Sequence, residues 1–287
     1  MSPPLTGGRA QQRSVVTTET TERRTRMAAT LRDCVYGLAV GDALGVPFEF
    51  RRRDTFECTG MVGHGTHDQP AGTWSDDTSM TLATCDSIRE KGCVDVGDIR
   101  ERFVAWYTRD AYTCDHLFDI GGATSRALST GHGCSGERDN GNGSLMRIVP
   151  LAFVANDDEV RAVSAITHAH PTSTEACVRM VHAARNLISG DSARSVAVSA
   201  SVDPKKPRNA IASGGYVLHT FEAALWCLAN TRSYQNCVLT AVNLGSDTDT
   251  TGAVAGALAG IVYGIDGIPR EWLEQLRGKD VIEACLF

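Results

Sequence analysis

From Leu31 onward the hydrophobic residues of this chain recur with helical spacing. Met80, Leu82, Ala83 and Ile88 form one such series, Ile99, Phe103 and Trp106 a second, and Val178, Val181, Ala184, Leu187 and Ile188 a third. Returns after three and four residues put side chains on one face of an α-helix. Alternation of period two is scarce, and its nearest case, SVAVSASV at 195–202, fits a helix equally well. Between the helical segments run glycine-rich polar loops: GHGTHDQPAGTWSDD, STGHGCSGERDNGNGS and SVDPKKPRNAIASGG. The pattern predicts an all-α fold, a single compact orthogonal helical bundle over residues 27–287, with function concentrated in long loops.

Two predicted helices carry glycine at every fourth position, one at Gly37, Gly41 and Gly45, the other at Gly252, Gly256, Gly260 and Gly264. Glycine costs about 1 kcal/mol per site inside a helix, so each series needs a packing reason. An absent side chain lets helix axes approach closer than the usual distance of about 8–10 Å. The two stripes are therefore expected to cross each other directly; the alternative is that each packs on some other helix.

Composition narrows the function. The 287 residues are 42% hydrophobic and 22% charged, with a net charge of −6, which suits a soluble globular chain and argues against nucleic-acid binding. No apolar run approaches the roughly 18 residues of a membrane span, and a cytoplasmic location is expected. The ten cysteines include no CxxC pair, so they read as small buried hydrophobes in a reducing compartment rather than as disulfides or a zinc ribbon. Residues 1–26 are polar and lack an apolar core, which excludes an ordinary secretory signal. They read as a disordered extension or a partner-binding arm, and Glu19 and Glu22 argue against a transit segment.

Three acidic clusters carry the candidate chemistry: Asp42 and Glu49 in GDALGVPFEF, Asp76, Asp77 and Thr78 in GTWSDDTSM, and Asp247, Asp249 and Thr250 in GSDTDTTGA. Ser75 and Ser246 each suit a helix N-cap followed by carboxylates at the positive end of the dipole. A cap needs one acceptor, however, and each of the last two clusters offers two carboxylates and a hydroxyl. Asp247 and Asp249 would diverge on a regular helix, so convergence requires the helix to start near Thr250. Oxygen-only donors suit a hard divalent cation, and carboxylates brought together without one repel. The doubled cluster points to a metal site, with room for two ions. GNGSLMR (141–147) and FDIGGATSRAL (118–128) resemble anion cradles at helix starts, with Asn142 and Ser144 as donors. His168 and His170 are open to a ligand role or a plain structural one. GxSxG and GxxxxGK[ST] motifs are missing from the sequence, and no GxGxxG follows a predicted strand.

Taken in order, GLAVGDALGVPFE, GTWSDDTSMTL, FDIGGATSRAL, GNGSLMRIVPL, THAHPTSTEA and NLGSDTDTTGAVAGALAGIVYG resemble the ADP-ribosylglycohydrolase family over about residues 30–270. The resemblance implies an all-α fold holding two Mg²⁺ or Mn²⁺ ions. It implies metal ligation by Ser75, Asp76, Asp77, Asp247, Asp249, Thr250 and Glu49, with Ser75 standing where the family often has threonine. Asp119, Asp249 and Glu49 are the implied catalytic carboxylates. Asp119, Gly121, Gly122, Asn142, Gly143, Ser144 and His168 are the implied contacts to substrate.

The implied reaction cleaves the bond at C1″ of ADP-ribose, through an oxocarbenium-like transition state. The substrate would be an ADP-ribosylated protein, with arginine the leading acceptor, and free ADP-ribose the product. Serine or other ADP-ribose conjugates remain open. So does an immunity factor blocking a cognate ADP-ribosyltransferase through residues 1–26. A nucleoside hydrolase would also use an aspartate-rich metal site, but on an α/β fold.

Overall fold

The computed structural model describes Met1 and residues 29–287. The readings made for residues 1–26, extension or partner-binding arm, fall outside the described residues, Met1 apart. Twelve α-helices succeed one another among the described residues: α1 (Leu31–Gly45), α2 (Asp76–Lys91), α3 (Val96–Arg109), α4 (Gly122–Thr130), α5 (Asp157–Ala165), α6 (Pro171–Ile188), α7 (Ala193–Ser199), α8 (Val217–Ala229), α9 (Tyr234–Val242), α10 (Thr248–Tyr263), α11 (Arg270–Gln275) and α12 (Lys279–Cys285). In place of strands the described residues hold three isolated bridges, His64 with Gln69, Cys134 with His168 and Gly141 with Tyr216. The fold is all-α, as the periodicity predicts, and the ambiguous segment at 195–202 is largely the short helix α7.

The centre of the fold is the crossing of α1 and α10, which run antiparallel. A Cβ on Gly41 would lie 2.1 Å from the Gly252 carbonyl oxygen, and one on Gly37 2.3 Å from that of Gly256. Reciprocally, a Cβ on Gly256 would lie 2.2 Å from the Gly37 carbonyl oxygen. Backbone touches backbone, so the two stripes do pack on each other. Gly264 is the exception: it ends α10 with φ 72°, in the left-handed region that favours glycine, and takes no part in the crossing. Tyr234 of α9 donates its hydroxyl to the Gly37 carbonyl at 2.6 Å, sealing the crossing from the side. Both helices are buried along most of their length, which is why their sequences lack the usual polar stripe.

The cysteines behave as the sequence suggests. All ten are free thiols, seven of them buried, and Cys93 alone is exposed.

Candidate active site

The α1–α10 crossing brings the C-terminal end of α1 against the N-terminal end of α10, and α2 begins beside both. Asp42, one turn before the end of α1, is fully buried and reaches across to α2. It accepts from the Ser75 N–H at 3.0 Å, the Thr78 N–H at 3.0 Å and the Thr78 hydroxyl at 2.6 Å. Ser75 caps α2 as predicted, and its hydroxyl donates to Asp77 Oδ2 at 3.0 Å. Thr250 donates to that same oxygen at 3.4 Å from α10.

The start of α10 differs from the expectation. The helix begins at Thr248 rather than near Thr250, with Asp247 in the cap position and Asp249 inside the first turn. Ser246 does not cap: its φ of 68° places it outside the helix, where its N–H donates to the Arg51 carbonyl at 2.8 Å. Asp247 and Asp249 still converge, because the non-helical backbone of Asp247 turns its carboxylate back toward Glu49.

Two groups of carboxylates result. Asp42, Asp77 and Asp249 offer oxygens that all lie within 4.8 Å of one another, and so do Glu49, Asp247 and Asp249. Asp249 belongs to both groups. Two buried oxygens, Asp77 Oδ1 and Asp247 Oδ1, have no hydrogen-bond partner among the described residues. Buried carboxylate oxygens left unpaired are costly, and an all-oxygen donor set with two open positions fits hard divalent cations.

The electrostatics agree. Burial pushes the Asp42 carboxyl up to about 6 against the pull of its four hydrogen bonds. Burial, reinforced by the neighbouring carboxylates, holds Asp76, Asp77 and Asp249 well above the usual range. Glu49 is pushed up to about 7, chiefly by burial, with the His67 hydrogen bond acting in the opposite direction. A cation among these groups would reverse the pattern by favouring the ionised forms.

Above the carboxylates opens a cleft of ≈ 320 Å³. Glu49, Asp76, Asp247 and Thr250 line its carboxylate-rich end, and Asp119, Gly121, Gly122, Asn142, Gly143 and His168 line the remainder. Gly121 precedes α4 without any side-chain cap, so the first N–H groups of that helix are left for a ligand. Burial holds the Asp119 carboxyl above its ordinary range. Asn142 donates to Asp247 Oδ2 at 2.8 Å, which orients that carboxylate as well as lining the cleft. GNGSLMR opens only a single 3-10 turn, Leu145–Arg147, rather than an α-helix.

Some expected residues sit elsewhere. Asp77 and Asp249 lie beneath the cleft, in the buried carboxylate groups. Ser144 is fully buried, accepting from the Ser164 hydroxyl at 2.9 Å and bonded to the Cys177 thiol at 3.4 Å, under the loop rather than in the cleft. His170 caps α6 by accepting from the Thr172 N–H at 3.2 Å. Two residues join the site without having been assigned a role from sequence. Asp42 was noted only as a cluster member. His67 bonds Glu49 through Nε2, and together with Asp119 these groups lie within 4.8 Å of one another. His67 stands in a loop with no flanking motif, and only the fold carries it to Glu49.

Comparison with known proteins follows this geometry closely. The ADP-ribosylglycohydrolase family profile matches residues 21–286. An ADP-ribosylarginine hydrolase, Tri1, of Pseudomonas putida (strain GB-1) is 34% identical over 279 residues, covering 88% of this chain and 75% of the relative. An ADP-ribosyl-[dinitrogen reductase] glycohydrolase of Rhodospirillum rubrum is 33% identical over 270 residues, covering 85% and 88%. A solved structure described as an ADP-ribosylglycohydrolase-related protein complex superposes with a TM-score of 0.75 at 33% identity, covering 89% of this chain and 94% of that one. The chain belongs to the ADP-ribosylglycohydrolase family.

Proposed function

We propose that this protein hydrolyses the glycosidic bond between ADP-ribose and a modified protein side chain, arginine first, and that it does so with two divalent cations, Mg²⁺ or Mn²⁺. One observation carries the reading: Asp249 is shared by two carboxylate groups directly beneath a glycine-lined cleft. Asp42, Asp77 and Asp249 would hold one ion and Glu49, Asp247 and Asp249 the other, with Asp76 and Thr250 at the cleft edge. Such ions supply Lewis-acid polarisation and offset the clustered negative charge.

The residues of the chain account for the remaining steps. The C1″–N bond to the guanidine breaks, a water oxygen bonds C1″, and the leaving nitrogen keeps the electron pair and takes a proton. Asp119 flanks the cleft with a proton affinity raised by burial, which suits a general acid–base group, while Glu49 would be held ionised by the cation it binds. His67 holds Glu49 in place through its hydrogen bond. The unpaired N–H groups at the start of α4 favour the anionic part of the ligand.

Arginine leads because the Pseudomonas relative is named an ADP-ribosylarginine hydrolase. Serine is the second acceptor to test, since the family resemblance leaves it open. A nucleoside hydrolase is disfavoured by the helical, strand-free architecture of the described residues. No helix of the described residues is long and apolar enough to cross a membrane. Proteins carrying ADP-ribose on arginine or on serine, incubated separately with the enzyme and Mg²⁺ or Mn²⁺, separate the readings. Release from arginine supports the proposal, release from serine alone moves the acceptor, and release from neither removes the activity.

A further inference from the structure

The cleft presents a charge problem. Its lining holds four carboxylates, Glu49, Asp76, Asp119 and Asp247, and no lysine or arginine. The proposed ligand carries a diphosphate. Arg126 stands beside the lining residue Gly122, its Nη1 3.5 Å from where a Cβ on that glycine would lie, but it is exposed and paired with Asp139. Arg147, the last residue of GNGSLMR, is fully buried and has no ion-pair partner among the described residues. Its guanidinium lies over the Phe103 ring at 4.5 Å, donates to the Val163 carbonyl at 3.3 Å, and donates from Nη2 to Thr167 Oγ1 at 2.9 Å. Its Nε has no partner among the described residues. A buried cation without a counter-ion is an expensive arrangement, and packing alone does not require it.

The same hydroxyl connects onward. Thr167 is fully buried, and its Oγ1 lies 2.9 Å from His168 Nδ1. With Arg147 donating to this oxygen, the hydroxyl proton needs an acceptor. His168 Nδ1 is the one within reach among the described residues. Nδ1 must therefore accept, and the ring proton sits on Nε2. Nε2 has no partner among the described residues and lies on the cleft side of the ring, under the Gly141–Gly143 loop. A Cβ on Gly143 would stand 2.8 Å from His168 Cε1 and 3.1 Å from Thr124 Oγ1. Thr124 Oγ1 is itself buried and has no partner among the described residues. Two idle polar groups thus meet at one glycine.

We propose that Arg147 and Thr167 are positioning residues: they lock His168 as a neutral imidazole whose Nε2–H is aimed at the anionic part of ADP-ribose, while the buried guanidinium supplies positive potential that solvent does not screen. The proposal rests on the ADP-ribose reading above. Burial keeps His168 uncharged, down to about 4, with Arg147 adding to the effect, so the ring serves as a fixed donor and not as a proton carrier. This resolves how a cleft walled by carboxylates accommodates a dianion away from its metal end.

The test compares Thr167→Val with Thr167→Ser, and Arg147→Met with Arg147→Lys. Long-range ¹H–¹⁵N spectra of the metal-free, ligand-free protein report the His168 tautomer, assigned with His168→Gln. Wild type and Thr167→Ser should show the Nε2–H form, and Thr167→Val should lose it. ADP-ribose affinity, by calorimetry with Mg²⁺, should fall about tenfold or more in Thr167→Val and Arg147→Met and be largely kept in Thr167→Ser and Arg147→Lys. Adenosine, which lacks the diphosphate, should bind wild type and Thr167→Val alike. A wild-type Nδ1–H tautomer, or equal loss of adenosine and ADP-ribose affinity, overturns the relay. If wild type holds the Nε2–H form yet binds no ADP-ribose, the relay stands and the ADP-ribose reading fails. Should Arg147→Met not fold, the threonine pair decides alone.

Discussion

Replacing Gly41 with alanine tests the architecture on which the site depends. The new Cβ would lie 2.1 Å from the Gly252 carbonyl oxygen and 2.7 Å from its carbonyl carbon, and both are backbone atoms that no rotamer change can move. Relief requires α1 and α10 to part by about 1 Å, and a gap of ~0.5–1 Å forfeits about a quarter to a half of each dispersion contact along the seam. Overpacking costs about 1–3 kcal/mol, and a backbone-on-backbone clash belongs at the upper end. Alanine's higher helix propensity returns about 1 kcal/mol. The net loss is about 2 kcal/mol, or about 3–4 °C in melting temperature for a chain of this size. The same displacement moves Asp42 away from Asp249, so divalent-cation affinity should fall together with stability. Differential scanning calorimetry of the chelated protein reads the first effect and metal titration the second. Gly60→Ala is the control: its Cβ would meet only Trp272 Nε1 at 3.6 Å and should leave both unchanged. Unaltered melting and metal binding in Gly41→Ala would refute the direct crossing and the coupling of the crossing to the site.

Further outcomes follow from the carboxylate cluster. Asp42→Ala leaves the Ser75 and Thr78 N–H groups without their acceptor, and should cost about 1–3 kcal/mol as well as one cation; urea unfolding and metal counting check the two effects. Glu49 and Asp42 are raised to about 7 and about 6, so the metal-free folded state binds their protons more tightly than the unfolded chain does. Their stabilising contribution is complete below about pH 4 and lost as pH rises through 6 to 7, so chelated protein should melt progressively lower across that window while saturating Mg²⁺ flattens the loss. The His67 hydrogen bond favours ionised Glu49; His67→Ala should therefore weaken divalent-cation affinity, most at low pH where protons compete for Glu49, and a metal titration that gives unchanged affinity across pH would separate His67 from Glu49 function. Asp119→Asn should lower kcat by about 10²–10⁴-fold with a small change in KM, read from steady-state kinetics.

Much of this was legible in the chain. Four-residue glycine spacing identified both helices of the central crossing, because close backbone approach is among the few reasons to tolerate glycine there. The acidic doublets were legible because a cap does not use two carboxylates. What the sequence hid were long-range consequences. Asp42 caps a helix other than its own, and no local pattern predicts a hydrogen bond across 33 residues. His67 reaches Glu49 only because Gly65, at φ 72°, packs its turn against the Pro47 carbonyl. The start of α10 was misplaced by two residues because Asp247, not Ser246, occupies the cap while its side chain stays free for Asn142. Ser144 belongs to a donor-rich motif, yet its hydroxyl turns inward to Ser164.

The central claim is that the Asp249-sharing carboxylate groups drive cation-dependent removal of ADP-ribose from protein. The most direct measurement is release of ADP-ribose from an ADP-ribosylarginine protein by wild type, with Mg²⁺ or Mn²⁺ and then with chelator, beside Asp249→Asn. The account predicts turnover with cation, its loss on chelation, recovery on readdition, and a variant that stays folded but idle. Full turnover by chelated enzyme or by Asp249→Asn would contradict it.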